Sequence, residues 1–574
     1  MVDLAQGPRE PVATSSPLTL TAHLGDRCVL LAMDLPEEDT DRLAGFALYR
    51  QPPGGSRQPL LNRLDFDTKV TDATTAADRL WHPSDAAPFQ KFRWVDVPAK
   101  VVPGTYQYTA VARYFDKTGN LVDGPSRSVE VNLASPALGP LQVGFTRGYI
   151  SSQAYLSKAG DDWSFEPDPP TVDFDTTPYL VKYRWLGSHA RELLFGFLAD
   201  CQADPTVTLD AFAFDLDEPD IVRALAVFGP RLRLYQDDSK THAFIPNLPA
   251  DSSRQPLELK AASTIAGAGA AVKTGHFSSL SHDKVLIARR DGTPFRVLTG
   301  SANFSVRGLY VQSNNILLFD SADVARLYGR AFDQAWTNPS AFRGALISEQ
   351  WWDLPGTGAV GGLPAGRVAF SPHADSALSL GPIEDSLDDA SSSVLFAVMA
   401  LGGGGPVLET LRSIADRPGL FSYGITQATK DFSLYKPGSR RGIRIPFSFL
   451  SANVPAPFRK EFDGGFGQVI HHKFVVVDFN TDKAVVYTGS SNLAAGGEHS
   501  NGDNLLALRG REIASLYAVE AVKLIDHYHF RAAMKTATDA DPLVLAGPDS
   551  WRTWVRPYYD VNDLKFVDRQ LFSK

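Results

Sequence analysis

Two stretches of the chain share one arrangement of apolar runs and polar breaks. In the first, Val285, Leu286 and Ile287 are followed, after Asp-Gly-Thr-Pro, by Phe295, Val297 and Leu298. In the second, Phe474, Val475, Val476 and Val477 are followed, after Asn-Thr-Asp-Lys, by Ala484, Val485, Val486 and Tyr487. Short apolar runs bounded by turn residues predict hairpin-like pairs of buried strands. Upstream of each pair the pattern alternates. Residues 207–214 predict a strand, 218–225 the start of a helix capped by Asp217, and 231–235 a strand. In the later stretch 391–399 predict a strand, a helix follows Pro406, and 421–426 predict the next strand. Strand, crossover helix and strand are the mark of a parallel-rich layered α/β unit. Helices are predicted over 320–336 and 511–531, and the Gly- and Pro-rich stretch 337–385 reads as surface loop around a cleft.

The first part of the chain has a different rhythm. Short strand candidates at 28–33, 45–50, 104–115 and 126–131 are separated by Pro, Gly and Asp turns, which predicts a small β-sandwich. The expected organisation is a disordered tail over 1–17, a β-sandwich over 18–133, two α/β halves over 141–340 and 341–540, and a C-terminal extension over 541–574. That extension carries Trp551, Trp554, Tyr558 and Tyr559 and is expected to pack on the body. The stretch 132–140 reads as the boundary linker.

The polar anchors in the repeated stretches carry the chemistry. Both copies start on His-x-Lys (His282 and Lys284; His471 and Lys473). Both reach Gly-Ser-x-Asn eighteen residues after the His (Gly300, Ser301, Asn303; Gly489, Ser490, Asn492). Asn315 and Asn504 hold the same register, so every pair is 189 residues apart. Alternate strand residues share a face, so each His points the same way as its Lys. Each copy thus offers an imidazole, an ammonium, a hydroxyl and an amide near one spot. That set suits a phosphate: Lys and Asn hold oxygens, and His attacks or moves a proton. A lysine is almost never buried without a partner, which argues against a purely structural role for two such pairs.

The doubled motif resembles the phospholipase D superfamily, whose repeated element is H-x-K-x4-D followed by G-S-x-N. The resemblance implies a duplicated α-β-α layered body in which both motifs form one active site, preceded here by the small all-β sandwich domain. It implies that one His forms a covalent phosphohistidine, that the other protonates the leaving group and then activates water or an alcohol, and that no metal or cofactor is required. The second copy is complete, with Asp478 at the motif's acidic position. In the first copy Arg289 stands there, and Asp291, two residues on, is the candidate substitute. Relatives carry an acidic residue before the later Asn that orients a catalytic His; here that position holds Asp503 in one half and Asn314 in the other. Family custom makes His282 the nucleophile. The residues alone favour His471, because Asp503 lies in its half and an Asp supports an imidazolium better than an Asn does. Ser301 and Ser490 are expected to orient the phosphate-binding groups. His472, adjacent to His471, falls on the opposite strand face, and His23, His82, His189, His242 and His373 are given no role. Over 104–131 the β-domain resembles the late strands of a fibronectin type III or immunoglobulin domain, which implies docking to the body or to a partner.

Composition narrows the substrate less than the chemistry. Cys28 and Cys201 are solitary and far apart, which removes a disulfide framework and a Cys-based zinc site. No apolar stretch of twenty residues predicts a membrane span, and the first twenty residues lack a signal peptide's basic and apolar regions, so the expected location is cytoplasmic, with leaderless export left open. A formal net charge of -9 argues against a nucleic-acid enzyme. Local basic stretches, of which Lys436-Pro-Gly-Ser-Arg-Arg-Gly-Ile-Arg-Ile445 is the densest, keep a metal-independent nuclease as the alternative. The expected substrate is a phospholipid or related phosphodiester.

Overall fold

In this computed structural model residues 16–574 are described, apart from 72–73, 75–79, 135–136, 149–163, 250–251, 356–361, 400–403, 427–434 and 447–469. The N-terminal region folds as two small antiparallel sheets, one built on Thr19–Leu24, Val29–Asp34 and Arg93–Asp96, the other on Gln58–Pro59, Leu43–Gln51, Thr105–Phe115 and Leu121–Asn132, beside a two-stranded pair of Leu61–Asn62 with His82–Pro83. Leu31, Phe46, Leu48, Phe92, Tyr106 and Tyr108 fill the space between them.

The body is a structural repeat. Its first half runs β1 (Leu141–Phe145), α1 (Leu180–Ala203), β2 (Val207–Ala213), α2 (Pro219–Ala226), β3 (Leu232–Gln236), α3 (Leu257–Gly267), β4 (Ala271–Thr274), β5 (Val285–Arg290), β6 (Thr293–Gly300), β7 (Asn315–Phe319) and α4 (Ala322–Thr337). The second half runs β8 (Gly366–Ser371), α5 (Ala377–Asp388), β9 (Ser393–Val398), α6 (Pro406–Ser413), β10 (Phe421–Thr426), β11 (Ile443–Pro446), β12 (Lys473–Val477), β13 (Val485–Gly489), α7 (Ala495–Ser500), β14 (Asp503–Arg509) and α8 (Arg511–Thr536). The strand order is β1-β7-β6-β5-β2-β3-β4 in one sheet and β8-β14-β13-β12-β9-β10-β11 in the other, each with a two-residue edge strand beside its first member. Position for position the two orders are the same.

The sheets are mixed, not parallel-rich. The strand–helix–strand signal holds for β2 with β3 and β9 with β10, which pair in parallel, whereas β5, β6 and β7 and their counterparts run antiparallel. The hairpins won locally because Asp291 and Gly292 both take positive φ, +50° and +76°, as the tight turn between β5 and β6 requires.

Alternation along each strand sorts side chains into layers. Ile287 and Val297, with Phe474 and Val476, face a central core that also holds Phe332 of α4 and Tyr517 and Ile525 of α8. Leu286, Ala288 and Leu298 face outward under α1 and α2. Val475 and Val477 face outward under α5 and α6. The two sheets therefore enclose α4 and α8 and are covered by helices on their outer faces.

Four expectations need correction. Residues 337–385 are not one long loop: they contain β8 and most of α5, the latter anchored by buried Leu380 and Ile383. The cap of α2 is Glu218, which accepts from Ile221 N at 2.7 Å, while Asp217 accepts from Val306 N at 2.8 Å and joins α2 to the loop after β6. The C-terminal extension packs chiefly on the β-region: Trp551, Trp554 and Tyr558 lie in that core, and Trp554 Nε1 donates to Leu43 O at 3.2 Å. The helix α9 (Leu564–Phe572) then reaches the body, where Phe572 meets Phe421 and Phe479 edge-on or tilted. Arg93, from the β-region, is clamped by Asp526 of α8 and Asp568 of α9, each at 2.6 Å. Part of the stretch read as linker is strand, since Ala137–Leu138 pairs with β1. The glycine-rich stretch 463–467 and the tail 1–15 lie outside the described residues.

Candidate active site

The two motifs meet because each half completes the other. His282 N donates to Gly502 O at 2.8 Å, and His471 N donates to Ser313 O at 3.2 Å. Each histidine is thereby held against the residue that precedes the opposite half's later Asp or Asn. The consequence is a crossed arrangement: His282 Nδ1 lies 2.7 Å from Asp503 Oδ1, and His471 Nδ1 lies 2.8 Å from Asn314 Oδ1. This corrects the assignment made from position in sequence. Asp503 belongs to the second half but supports the first half's histidine, because pairing across the pseudo-twofold interface decides the partner.

The serines and later asparagines frame this pair with a symmetric network. Ser301 Oγ donates to Asn314 Oδ1 at 2.8 Å and accepts from Asn315 N at 3.0 Å. Ser490 Oγ accepts from Asn504 N, also at 3.0 Å. Asn315 Nδ2 donates to Thr488 Oγ1 (2.9 Å) and Tyr517 OH (3.3 Å) of the other half. Asn504 Oδ1 accepts from Thr299 Oγ1 (3.2 Å) and Tyr328 OH (3.3 Å). Asn315 and Asn504 are thus struts between the halves. Thr299 with Thr488 and Tyr328 with Tyr517 were not singled out from the sequence, although they keep the offset of 189. Gly300 and Gly489 sit at φ +146° and +148°, where a Cβ would run into the backbone oxygens of Asn315 and Asn504.

All four His and Lys side chains are buried, at 1–3% exposure. Lys473 Nζ lies 3.1 Å from His471 Nδ1 and donates to His471 O at 2.8 Å; Lys284 Nζ donates to His282 O. Burial is the largest single influence on every charge here. It pushes Lys284 down to about 8 and, with Lys284 nearby, pushes Lys473 well below the ordinary lysine range. Burial and then Lys473 and Lys284 drive His471 well below the usual imidazole value. Burial and Lys284 also lower His282, although Asp503 pulls the other way. Burial opposes the charge on Asp503, yet His282 and Lys284 hold its carboxyl below the usual range. Asp283, missed from the sequence, accepts from Asn504 Nδ2 at 2.7 Å and is pushed up to about 7 by burial and by Asp503.

Asn303 lies in the same pocket, its Nδ2 donating to Asp215 and its Oδ1 without a hydrogen-bond partner among the described residues; the same is true of Asn492 Oδ1. Phe214 forms a wall of the pocket, its ring 4.9 Å from that of His282 and 4.6 Å from that of His242. Sequence gave His242 no role, yet it is buried between Asp237 (2.8 Å) and Asp215 (3.1 Å). His472 faces Glu520 at 3.6 Å on the opposite strand face.

Asp478 is not in the pocket. It stands at the far end of β12, seven residues from His471 or roughly 20 Å along a strand. There it accepts from the backbone N–H groups of Ser391 and Ser393 at 3.0 and 3.1 Å and of Ser392 at 2.7 Å. Arg289, at the same end of β5, pairs with Asp210 and, at 3.0 Å, with Asp333. Asp291 lies in the exposed turn and does not replace it.

The family model described as "Cardiolipin synthase, PLD-like domain" matches residues 383–525. Over that stretch the second half is similar to a phospholipase D-like domain. The first half repeats its strand order, so the body has a phospholipase D-like fold in outline, preceded by a small β-rich region. A search of the curated proteins finds no match. Solved structures give loose overlays. The phosphatidylserine synthase of Haemophilus influenzae aligns over 65% of this chain and 92% of its own, at 14% identity and a TM-score of 0.39. The polyphosphate kinase of Porphyromonas gingivalis aligns over 65% of this chain and 53% of its own, at 12% identity and 0.37, so the chain spans about half of that protein. The phospholipase D family member Nuc of Salmonella typhimurium aligns over 25% of this chain and 85% of its own, at 20% identity and 0.19.

Proposed function

We propose that this protein is a phosphodiesterase of the phospholipase D type that hydrolyses phospholipid phosphodiester bonds through a phosphohistidine on His282. The observation that carries the reading is the crossed pairing of His282 with Asp503 and His471 with Asn314 in one buried pocket with two lysines. A carboxylate on Nδ1 fixes the tautomer that leaves the Nε2 lone pair free, and it steadies the positive ring once Nε2 is bonded to phosphorus. Asn314 orients His471 without adding charge, which suits a group that must give up a proton.

In the first step Nε2 of His282 attacks phosphorus. The bond from phosphorus to the leaving alcohol breaks, and the departing oxygen takes a proton from His471. Burial and then Lys473 and Lys284 lower His471; the bound phosphate's negative charge offsets both lysines, so His471 takes up a proton from solvent as substrate binds and carries it into this step. In the second step water gives a proton to His471 and its oxygen attacks phosphorus. The phosphorus–nitrogen bond breaks and His282 is regenerated. Lys284, Lys473, Asn303 and Asn492 hold the nonbridging oxygens as charge builds on phosphorus.

The acidic wall favours a lipid over a nucleic acid. Asp215 and Glu258 lie on one side of the pocket, Asp215 touching Asn303 itself, and such carboxylates oppose the neighbouring phosphates of a polyanion. No helix among the described residues is long and apolar enough to cross a membrane, so the lipid would be met at a surface. The β-region is read as a fibronectin- or immunoglobulin-like module docked on the body. The test is product analysis with phosphatidylcholine and phosphatidylethanolamine and, separately, single- and double-stranded DNA. Phosphatidic acid released by the wild type and not by His471→Ala supports the reading. DNA cleavage with the same mutant dependence and no lipid turnover replaces it with a nuclease.

A further inference from the structure

Beside the two-histidine pocket lies a second cluster that this chemistry does not use. His242, Asp215 and Glu258 bring Nε2, a carboxylate oxygen and a second carboxylate oxygen within 4.8 Å of one another. Nε2 is 3.1 Å from Asp215 Oδ1 and 3.8 Å from Glu258 Oε1. Ligand atoms about 2.1 Å from a common metal ion stand some 3–4 Å apart, so these spacings fit three donors around one centre. The ring is aimed by its other nitrogen: Nδ1 lies 2.8 Å from Asp237 Oδ2, and Asp237 is itself fixed by Ser239 N (3.0 Å) and Ser281 N (2.6 Å). A carboxylate behind the distal ring nitrogen is the arrangement that orients metal-bound histidines.

An independent observation points to a ligand. Asn303 is 2% exposed, its amide head group rests on the cluster through Nδ2 and Asp215, and its Oδ1 has no hydrogen-bond partner among the described residues. A buried amide oxygen left unpaired is costly. A half-turn of the amide would present that oxygen to a cation seated between Asp215 and His242. Glu258 and His242 are both buried, so the donors are positioned before any ion arrives.

We propose that His242, Asp215 and Glu258, with the carbonyl of Asn303, form a binding site for one divalent transition-metal ion, with Asp237 as the residue that orients His242. One imidazole with oxygen donors suits zinc or manganese, and the general order of affinities places zinc above manganese and well above magnesium. The site adjoins the pocket through Phe214, and a cation there would offset the carboxylate nearest the two lysines. The metal proposal does not depend on the phosphohistidine chemistry, since binding is read without turnover.

The test is zinc binding to the full chain after dialysis against chelator and removal of any affinity tag, followed by calorimetry and metal analysis. One saturable zinc per chain is expected, with manganese weaker and magnesium weaker still. His242→Ala should weaken zinc binding by more than about 100-fold, and Asp237→Asn by about 10-fold. His276→Ala, at a half-exposed histidine paired with Asp238, should leave binding unchanged. If His242→Ala does not fold, Glu258→Gln serves: zinc should raise the melting temperature of the wild type and raise that of Glu258→Gln by less. Absence of saturable binding, or binding unchanged in both His242→Ala and Glu258→Gln, overturns the proposal.

Discussion

The two halves of the body share strand order and, around the motifs, a constant residue offset, yet they differ at the positions that decide their chemistry. His282 has a carboxylate behind it and His471 has an amide. The residue beside Lys284 is the ring of Phe214, 4.9 Å from Nζ; in the equivalent place Lys473 Nζ is 3.7 Å from Met399 Sδ. The first half carries the cluster of Asp215, His242 and Glu258. A symmetric fold thus holds an asymmetric site, as a reaction needs when it makes one histidine a nucleophile and the other a proton carrier.

The largest effects should come from removing either histidine. His282→Ala and His471→Ala are each expected to lower the turnover rate by more than 100-fold with the fold retained. They should differ in what remains. With a slow or isotopically labelled substrate, His471→Ala can still form labelled protein if the leaving group is good, whereas His282→Ala cannot. Label on His282→Ala would reverse the assignment of the halves.

The next contrast is between the two supports. Asp503→Asn converts the first histidine's environment into the second's and should cost about 100-fold in turnover, since it removes the charge that steadies a positive ring. Asn314→Ala removes orientation alone and should cost closer to 10-fold. Equal losses would mean that both supports only orient.

The pH profile reports the shared burial. On the proposed mechanism His282 attacks as the neutral ring, and burial with Lys284 lowers it from 6.5, so the loss of kcat/KM from protonating His282 should come only below pH 6.5. His471 must gain a proton before it can give one, and burial with Lys473 and Lys284 lowers it, so kcat/KM should already decline with rising pH above that lowered value. Lys284 must also be charged, and burial lowers it to about 8, so the fall should steepen through about 8 rather than near 10.5. Lys284→Arg should carry whatever activity it keeps without that steepening. A steepening unmoved by the substitution would assign it to another group.

Much of this was legible in the chain. The 189-residue offset located His282, Lys284, Asn303 and their partners, and the strand–helix–strand rhythm located β2, β3, β9 and β10. What the offset did not reveal was the crossing, because pairing of His282 with Gly502 and of His471 with Ser313 is a property of the interface between halves. The same offset, carried past the motif, would have found Thr299 with Thr488 and Tyr328 with Tyr517. His242, Asp215 and Glu258 obey no repeat, since they come from loops and a helix in the first half alone. Mixed sheets were misread as parallel-rich because a buried strand of either sense is a short apolar run.

The smallest effect on chemistry is expected where the motif seemed most diagnostic. Asp478 completes the motif in the second half, but its carboxylate caps three successive N–H groups at the start of β9. Asp478→Ala should therefore destabilise the protein, by about 3 kcal/mol if it strands these donors, while turnover of the folded fraction changes less than threefold. These hydrogen bonds hold Asp478 below the usual carboxylate range, although burial works against them. The stability it adds is thus present above the unfolded value near 3.9 and is lost as pH falls through its lower folded value. Its counterpart sharpens the case. If the acidic position served catalysis, Arg289→Asp would repair the first half and raise activity. The structure predicts no gain: the new carboxylate would stand beside Asp210 and Asp333 with, among the described residues, Arg233 left to pair them, so the variant should melt earlier at unchanged turnover. A rise in turnover in Arg289→Asp would show that the far end of this strand pair does reach the chemistry.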